Sequence, residues 1–560
     1  MSATIGLEDQ GASTRSPGRA HGLFADTTPP SRQLLLDWLD QNGAYIHPSL
    51  QITEMEDGPG WRLTSKDNME AFDLLFSIPK PSLLSTRTSS LPPLTLSDGP
   101  ITNISIFHLA LCLLHECRLG QLSPFYGYVQ SLPRDTTECL LPIFWHLTEL
   151  AGEDGPKGLR WLKGSEVERR MQSKAAEGLG YDDLVKFYTA TSAHLPSTST
   201  HPSPSPLLAF IHTYTLILTR AFTIDLYRPT ALVPFADILN HSSDPHTSLA
   251  SDDFVCHQCG SMGRCIHDIL DHEGLPYRLN GTSLSKPQKF KMAGMRSEED
   301  DTVELRAERE VKCGEEVWNS YGEIGDAGLL AEWGFLGGEY AGEGLLWRAE
   351  EVDTKGTASL EIWGRVIGVY AGETGSQAVD SDLENLWAGE GDEEDDGQGL
   401  ISPPSSDTVG RSKLNLSLSG QLSFSLFLLV YLAADPPEAD DPPTDILHDA
   451  KEAAEEIERA YAAVEERLSA EDATPANAES PADPPAKALS SSALECVHGV
   501  LDLLRRRTKA MYRSDLSSDE VLHLRDNLPP TSKYTRMAMT LTADERSLLA
   551  TTIRRWEDLV

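Results

Sequence analysis

The sequence predicts an α+β protein: short β-strands, split by a helical insert and followed by an all-helical tail. Three observations lead there. Short apolar runs end in turn residues around 71–80, 231–241 and 303–321. Broad helical patterns fill the interval between the first two runs. Beyond about residue 360 the apolar spacing is helical again, interrupted by acidic stretches.

Each element follows in order. Residues 1–30 are rich in Gly, Ser, Thr and Pro and are expected to be disordered. "SRQLLLDWLDQNG" reads as a helix with Ser31 as its cap and Gly43 at its end. The loop "EDGPGWRL" leads to "AFDLLFSIPK", a strand ended by Pro79. An insert over about 101–230 carries two long helices, "ISIFHLALCLLHECRLG" and "PLLAFIHTYTLILTRAF", with "HLPSTSTHPSPSP" as a flexible link before the second. Short strands return in "ALVPF", "VELRAERE" and "EEVWNSY". This places a strand-rich unit at 31–350, with a Cys/His insert at about 254–300, and a helical unit at 351–560. Acidic, disordered insertions are expected at about 372–412 and 435–490.

Composition limits the function. The chain has 560 residues, with 86 acids against 47 bases and a net charge of −39. Nucleic acid is therefore excluded as an expected direct ligand, since phosphate binding needs basic patches. A basic protein partner suits this charge better. Residues 390–396 hold six acids and no base, and residues 435–487 hold 16 acids and four bases, so much of the acidity is local. The N-terminus lacks an apolar leader, and the most apolar run, Leu422 to Ala434, is too short to cross a bilayer, so no membrane role is expected. Eight cysteines are few for a disulfide scaffold, and reduced thiols in the cytosol or nucleus are expected. No phosphate loop, nucleophile elbow or complete dinucleotide fingerprint is present.

Two polar strand ends remain to be explained. One is Asn240-His241-Ser242, closing "LVPFADILNHS"; the other is Asn319-Ser320-Tyr321, closing "EEVWNSY". Between them, Cys256 and Cys259 form a C-x2-C pair with Cys265 close by, and His257, His267 and His272 are neighbours. Zinc held by a Cys3His set is one reading, and a reduced-thiol loop is the plainer one.

The ordered set "GPGWRLTSKDNMEAFDLLFSIPK", "LTRAF", "LVPFADILNHS" and "VELRAEREVKCGEEVWNSYGEIGDAGLLAEWGF" resembles the SET-domain protein-lysine methyltransferases of the Rubisco large-subunit methyltransferase type. "SPFYGYVQSLP" is similar to that family's helical insert, and the tail from "LLRRRTKAMYRSDLSSDEVLHL" onward is similar to its helical substrate-binding domain. The resemblance implies a SET fold, S-adenosylmethionine as cofactor and a lysine of a basic protein, such as a ribosomal one, as substrate; the chain is expected to be a monomer. The same fold methylating histidine, or an inactive SET-fold binding module, is the alternative.

By this resemblance Asn240 and His241 contact the cofactor, as do Asp237 and Arg220, with Arg220 on the methionine carboxylate. Gly58, Pro59 and Gly60 match the loop that approaches it by its backbone. Tyr321 matches the tyrosine beside the transferring methyl group, and Trp333 stands in the lysine channel where the family carries tyrosine. Phe335 is expected in the core. Trp61 replaces an aliphatic residue of the family pattern.

Overall fold

Ser31 opens the first helix, Arg32–Gln41, by accepting the Leu34 N–H on its hydroxyl, and Gly43 leaves it at φ 75°. Leu35 and Leu39 of this helix are fully buried. The computed structural model describes residues 31–55, 60–92, 94, 104–195, 206–251, 255–270, 276–277, 301–338, 344–352, 414–434, 446–472 and 489–560. Four expectations lie outside these residues in whole or in large part: the disordered N-terminus 1–30, Gly58 with Pro59, the flexible link at 196–205, and the acidic stretch 372–412.

The first strands are β1 (Tyr45–Ile46), β2 (Leu50–Glu54), β3 (Trp61–Ser65), β4 (Leu74–Pro79) and β5 (Leu84–Ser85). After the helical insert come β6 (Ala221–Thr223), β7 (Thr230–Leu232), β8 (Asn240–His241) and β9 (Thr247–Ser251). The Cys/His insert contributes β10 (Ile269–Leu270) and β11 (Pro276–Tyr277), and β12 (Thr302–Ala307) and β13 (Trp318–Asn319) follow. Four of them form an antiparallel sheet in the order β1-β4-β12-β9. Its buried face is legible in the alternation: Val303 stands opposite Ile78 and Leu305 opposite Phe76, and all four are fully buried. β2 pairs with β3, β7 lies between β5 and β6, and β8 runs parallel to β13.

The strand expected at "ALVPF" stops at Leu232. Pro234 has no N–H to donate, and Phe235 turns the chain at φ 79°. That conformation is costly for a bulky residue. It is held by burial: the Phe235 ring is enclosed and meets Phe76 edge-on at 5.6 Å. "EEVWNSY" likewise pairs only at Trp318–Asn319.

A buried charge cluster ties three segments together. Lys80 Nζ lies 2.9 Å from Asp225 Oδ2 and 2.9 Å from Asp301 Oδ1. Arg228 Nη1 adds a 3.2 Å contact to Asp225. This links the end of β4, the turn between β6 and β7, and the start of β12.

The insert is helical as expected. Its helices Ile104–Leu119 and Pro206–Arg220 pack on each other, and Phe107 and Tyr214 meet at 5.3 Å. In the tail, β14 (Leu345–Leu346) pairs with β15 (Asn415–Leu416), and helices span Phe424–Ala434, Ser491–Ala510, Ser518–Asp526 and Lys533–Glu557. The expectation of a disordered insertion across 435–490 is corrected, because Ile446–Asp472 is one long helix. Ile457, Ala460, Val464 and Leu468 recur at helical spacing and are buried in the tail's own core. The charge count of the segment hid this stripe.

The last helix joins two cores. Tyr534, Ala538 and Leu541 belong to the strand-rich unit's core, whereas Leu549 and Trp556 belong to the tail's. Among the described residues no helix is long and apolar enough to cross a membrane.

Candidate functional site

The parallel pairing of β8 with β13 sets Asn240 beside Trp318 and His241 beside Asn319. The two polar strand ends, far apart in sequence, therefore meet. Tyr321 follows β13 and is fastened at both ends. Its backbone N–H donates to His241 Nδ1 at 3.0 Å, and its hydroxyl donates to the Leu239 carbonyl at 2.9 Å. An acceptor at Nδ1 places the imidazole proton on Nε2.

The Tyr321 ring stacks with two others. His241 stacks on it at 5.2 Å and Trp333 at 5.3 Å, the planes tilted by 28° and 22°. Trp333 ends the helix Asp326–Trp333, whose following residue, Gly334, is left-handed at φ 79°. A side chain there would also press on the Cys139 carbonyl at 3.0 Å. The chain thus turns where Trp333 must face Tyr321. Phe335 is only partly buried and does not join the packed core; Leu336 packs there instead, a correction to the expected role of Phe335. The register after Gly334 decides which of the two neighbours turns inward.

Burial pushes the Tyr321 hydroxyl up to about 12, with Arg220 acting in the opposite direction. Tyr321 is therefore neutral at physiological pH. It can donate a hydrogen bond and present oxygen lone pairs, but it is not poised as a strong base.

Asp237 is buried beneath this platform. It accepts the Tyr128 hydroxyl at 3.1 Å, and its carboxyl is pushed up by burial, opposed by Arg220 and by the Tyr128 hydrogen bond. Arg220 Nη1 donates to the Asp237 carbonyl at 2.6 Å and lies 3.9 Å from its carboxylate. Burial works against the Arg220 charge, but Asp237, Cys139 and two tyrosines more than offset it.

Asn240 has a partner the sequence did not reveal. Its amide donates to Glu316 Oε1 at 2.8 Å, and Arg62 lies 3.6 Å from the other oxygen. Gly60, at φ 125°, closes the β2–β3 hairpin beside Met55. A cleft of about 380 Å³ opens beside β8 and β13, lined by Ser242, His246, Glu316 and Trp318 among others. A roomier cleft, about 630 Å³, lies away from this chemistry, between the helix Asp326–Trp333 and the last helix.

The structure thus brings Asp237, Arg220, His241, Tyr321 and Trp333 together and ties Asn240 to the same strand pair. Sequence reasoning missed Glu316 and Tyr128. Tyr128 lies in "SPFYGYVQSLP", a segment already singled out, but nothing in its spacing names Asp237 as a partner.

The groups present suit S-adenosylmethionine chemically. A guanidinium and a buried carboxylate can receive a zwitterionic amino-acid group, and stacked rings can border a cationic centre.

No family model matches the chain. Ribosomal lysine N-methyltransferase 3 of Saccharomyces cerevisiae is 25% identical over 342 residues, 52% of this chain and 60% of that protein. N-lysine methyltransferase SETD6 of Mus musculus is 26% identical over 230 residues, 38% of this chain and 45% of that protein. The chain therefore spans about half the length of these relatives. Among solved structures, the SET domain of LSMT bound to lysine and AdoHcy superposes with a TM-score of 0.52 at 14% identity, covering 94% of this chain and 90% of that one. Rubisco LSMT bound to AdoMet gives 0.51 at 14% identity, covering 95% and 92%. The platform built on β8 and β13 thus sits in an α+β chain with the SET fold of the Rubisco LSMT type, and lysine N-methyltransferases are among its sequence relatives.

Proposed function

We propose that the protein is a protein-lysine N-methyltransferase that uses S-adenosylmethionine. The observation that carries this reading is the Tyr321 platform: a neutral hydroxyl anchored on Leu239 and a ring stacked with both His241 and Trp333. The relatives' names and the solved complexes with AdoMet, AdoHcy and lysine support it. The cofactor, when bound, supplies an activated methyl group on a sulfonium.

The chain's residues have separable tasks. Arg220, held charged by Asp237, would receive the cofactor's carboxylate, and Gly60 would let the hairpin backbone approach it. Tyr321, which stays protonated, offers its oxygen to the amine and to the methyl it receives. Alignment of this kind is worth ~7–11 kcal/mol in favourable cases. The indole of Trp333 and the ring of Tyr321 border the lysine and exclude water. That favours the neutral amine over the ammonium, whose free pKa is ~10.4. A basic protein substrate, such as a ribosomal protein, matches the chain's net charge of −39.

The test is incubation of the full chain with labelled S-adenosylmethionine and a lysate from cells lacking it, followed by mass-spectrometric site mapping. Label on lysine that disappears with Tyr321→Phe is the expected result. Label on histidine, or cofactor binding with no turnover on any lysate, overturns it.

A further inference from the structure

The insert between β9 and β12 brings four metal-ligating side chains to one point, apart from the Tyr321 platform. The sequence pattern is Cys256-x2-Cys259-x5-Cys265-x-His267. The three sulfurs and one imidazole nitrogen all lie within 4.8 Å of one another. We propose that Cys256, Cys259, Cys265 and His267 form a closed, structural zinc site that folds the 256–267 loop of this insert against the SET unit.

Two turns build it. In the first, the Gly260 N–H donates to the Cys256 carbonyl at 2.7 Å, the Cys256 N–H donates to the Ser261 carbonyl at 2.9 Å, and Gly260 is left-handed at φ 73°. This folds Cys256 and Cys259 onto the same side. In the second, the Cys265 N–H donates to Asp268 Oδ2 at 2.6 Å and the Asp268 N–H to the Cys265 carbonyl at 3.2 Å. This sets Cys265 and His267 side by side. His257 is not part of the group, and His272 lies outside the described residues.

The spacing around His267 matches a metal centre. His267 Nδ1 is 3.7 Å from the Cys256 sulfur and 3.7 Å from the Cys265 sulfur. A tetrahedron with Zn–S of ~2.3 Å and Zn–N of ~2.1 Å separates sulfur from nitrogen by about 3.6 Å and sulfur from sulfur by about 3.8 Å. A disulfide would need two sulfurs at ~2.05 Å, and all three cysteines are free thiols. A hydrogen-bonded thiol loop is the remaining reading, but one imidazole nitrogen can serve only one sulfur with its single proton or lone pair. Four protein ligands leave no open coordination position, so the metal has a structural role, and soft thiolates with an imidazole select zinc.

The insert also needs a fastening. Among residues 255–270 the buried apolar side chains are Val255, Cys256 and Met262, whereas Ile266 is 94% exposed and Ile269 and Leu270 are exposed too. So small an apolar set does not by itself fix the fold of this segment. The site's first turn docks on the SET unit, because a side chain at Gly260 would come within 2.7 Å of the Tyr227 ring. Arg87 and Arg228 flank that ring at 5.0 and 5.1 Å, and Arg228 also belongs to the Lys80 charge cluster. Zinc would thus hold the 256–267 loop in the shape that docks on Tyr227, at the start of the excursion between β9 and β12.

The experiment uses the full chain, untagged and purified without chelators, with zinc measured by mass spectrometry after dialysis. About one equivalent is expected, with Cys259→Ser and Cys265→Ser each falling to ~0.1 or less. His267→Cys, which preserves a four-ligand set, and Cys313→Ser, at an exposed thiol outside the cluster, are expected to retain it. Cobalt exchanged into the site should show the intense visible bands of a tetrahedral thiolate centre. Reduced, folded protein that holds no zinc and takes up no cobalt overturns the proposal, as does a Cys259→Ser protein that keeps a full equivalent.

Discussion

Tyr321 is neutral, half-buried and bonded at both ends, so its substitution should affect chemistry more than folding. Its neighbour Trp333 sets a size limit. Each methyl enlarges the amine, which must rotate to present its lone pair again, and indole leaves less room than phenol or benzene. The unmodified protein is expected to form mainly monomethyl-lysine, and Trp333→Phe to shift the product toward di- and trimethyl-lysine. Intact-mass analysis of the substrate decides this, and ready trimethylation by the unmodified protein would show that Trp333 does not limit the channel. Asn240 presents a different case, since its amide is bonded to Glu316 at 2.8 Å. Asn240→Ala leaves that carboxylate short of a donor in a largely buried site, a loss of ~1–3 kcal/mol. Both the melting temperature and calorimetric affinity for S-adenosylmethionine should fall. A fall in stability alone would make Asn240 a support for the strand pair and not a cofactor contact.

At the scale of elements, the site depends on two-residue strands that are too short to stand alone. β8 and β13 hold their register because the turn at Phe235 and the larger sheet fix where they begin. The charge cluster around Lys80 clamps that sheet: Lys80 and Asp225 are fully buried, and Asp301 is largely so. Lys80→Met should leave two carboxylates with Arg228 as their remaining cation among the described residues and cost ~3–5 kcal/mol. Urea titration followed by tryptophan fluorescence would show this, and an unchanged midpoint would mean that solvent reaches the cluster. "NHS" and "NSYG" were legible as strand ends because a strand that breaks into polar side chains is unusual. Their pairing was not, because parallel partners some eighty positions apart share no local signal.

Across the whole molecule, the last helix couples the SET unit to the tail through buried charge. The Glu166 N–H donates to Glu545 at 2.9 Å, and Arg507 reaches Glu166 at 3.2 Å. Burial pushes the Glu545 carboxyl up to about 7, opposed by Arg507 and the Glu166 N–H, with the Glu166 and Asp544 carboxylates pushing the same way as burial. A carboxyl whose folded pKa is raised contributes stability that is complete below its unfolded value, ~4.5, and is lost as pH rises through about 7. Glu545→Gln removes that loss. Its stability relative to the unmodified protein should therefore improve by on the order of 1–3 kcal/mol between pH 5 and pH 8. Scanning calorimetry at the two pH values checks this, and a difference independent of pH would mean that Glu545 is not the titrating group.

The sequence by itself determined the fold class, the long helices of the insert, the strand ending at Pro79 and the identity of the residues that gather around Tyr321. The first three follow from local periodicity, caps and turn residues, and the site residues from the resemblance carried by the ordered motifs. Only the tertiary structure decided that Asn240 answers to Glu316, that Asp237 answers to Tyr128, that Leu336 and not Phe335 turns into the core, and that an acidic stretch is a packed helix at 446–472. It also selected His267 from the histidines near the three cysteines. Such choices depend on which side chains meet after distant segments pack, and burial then fixes their partners, because an unpaired polar group costs more inside the protein than in water.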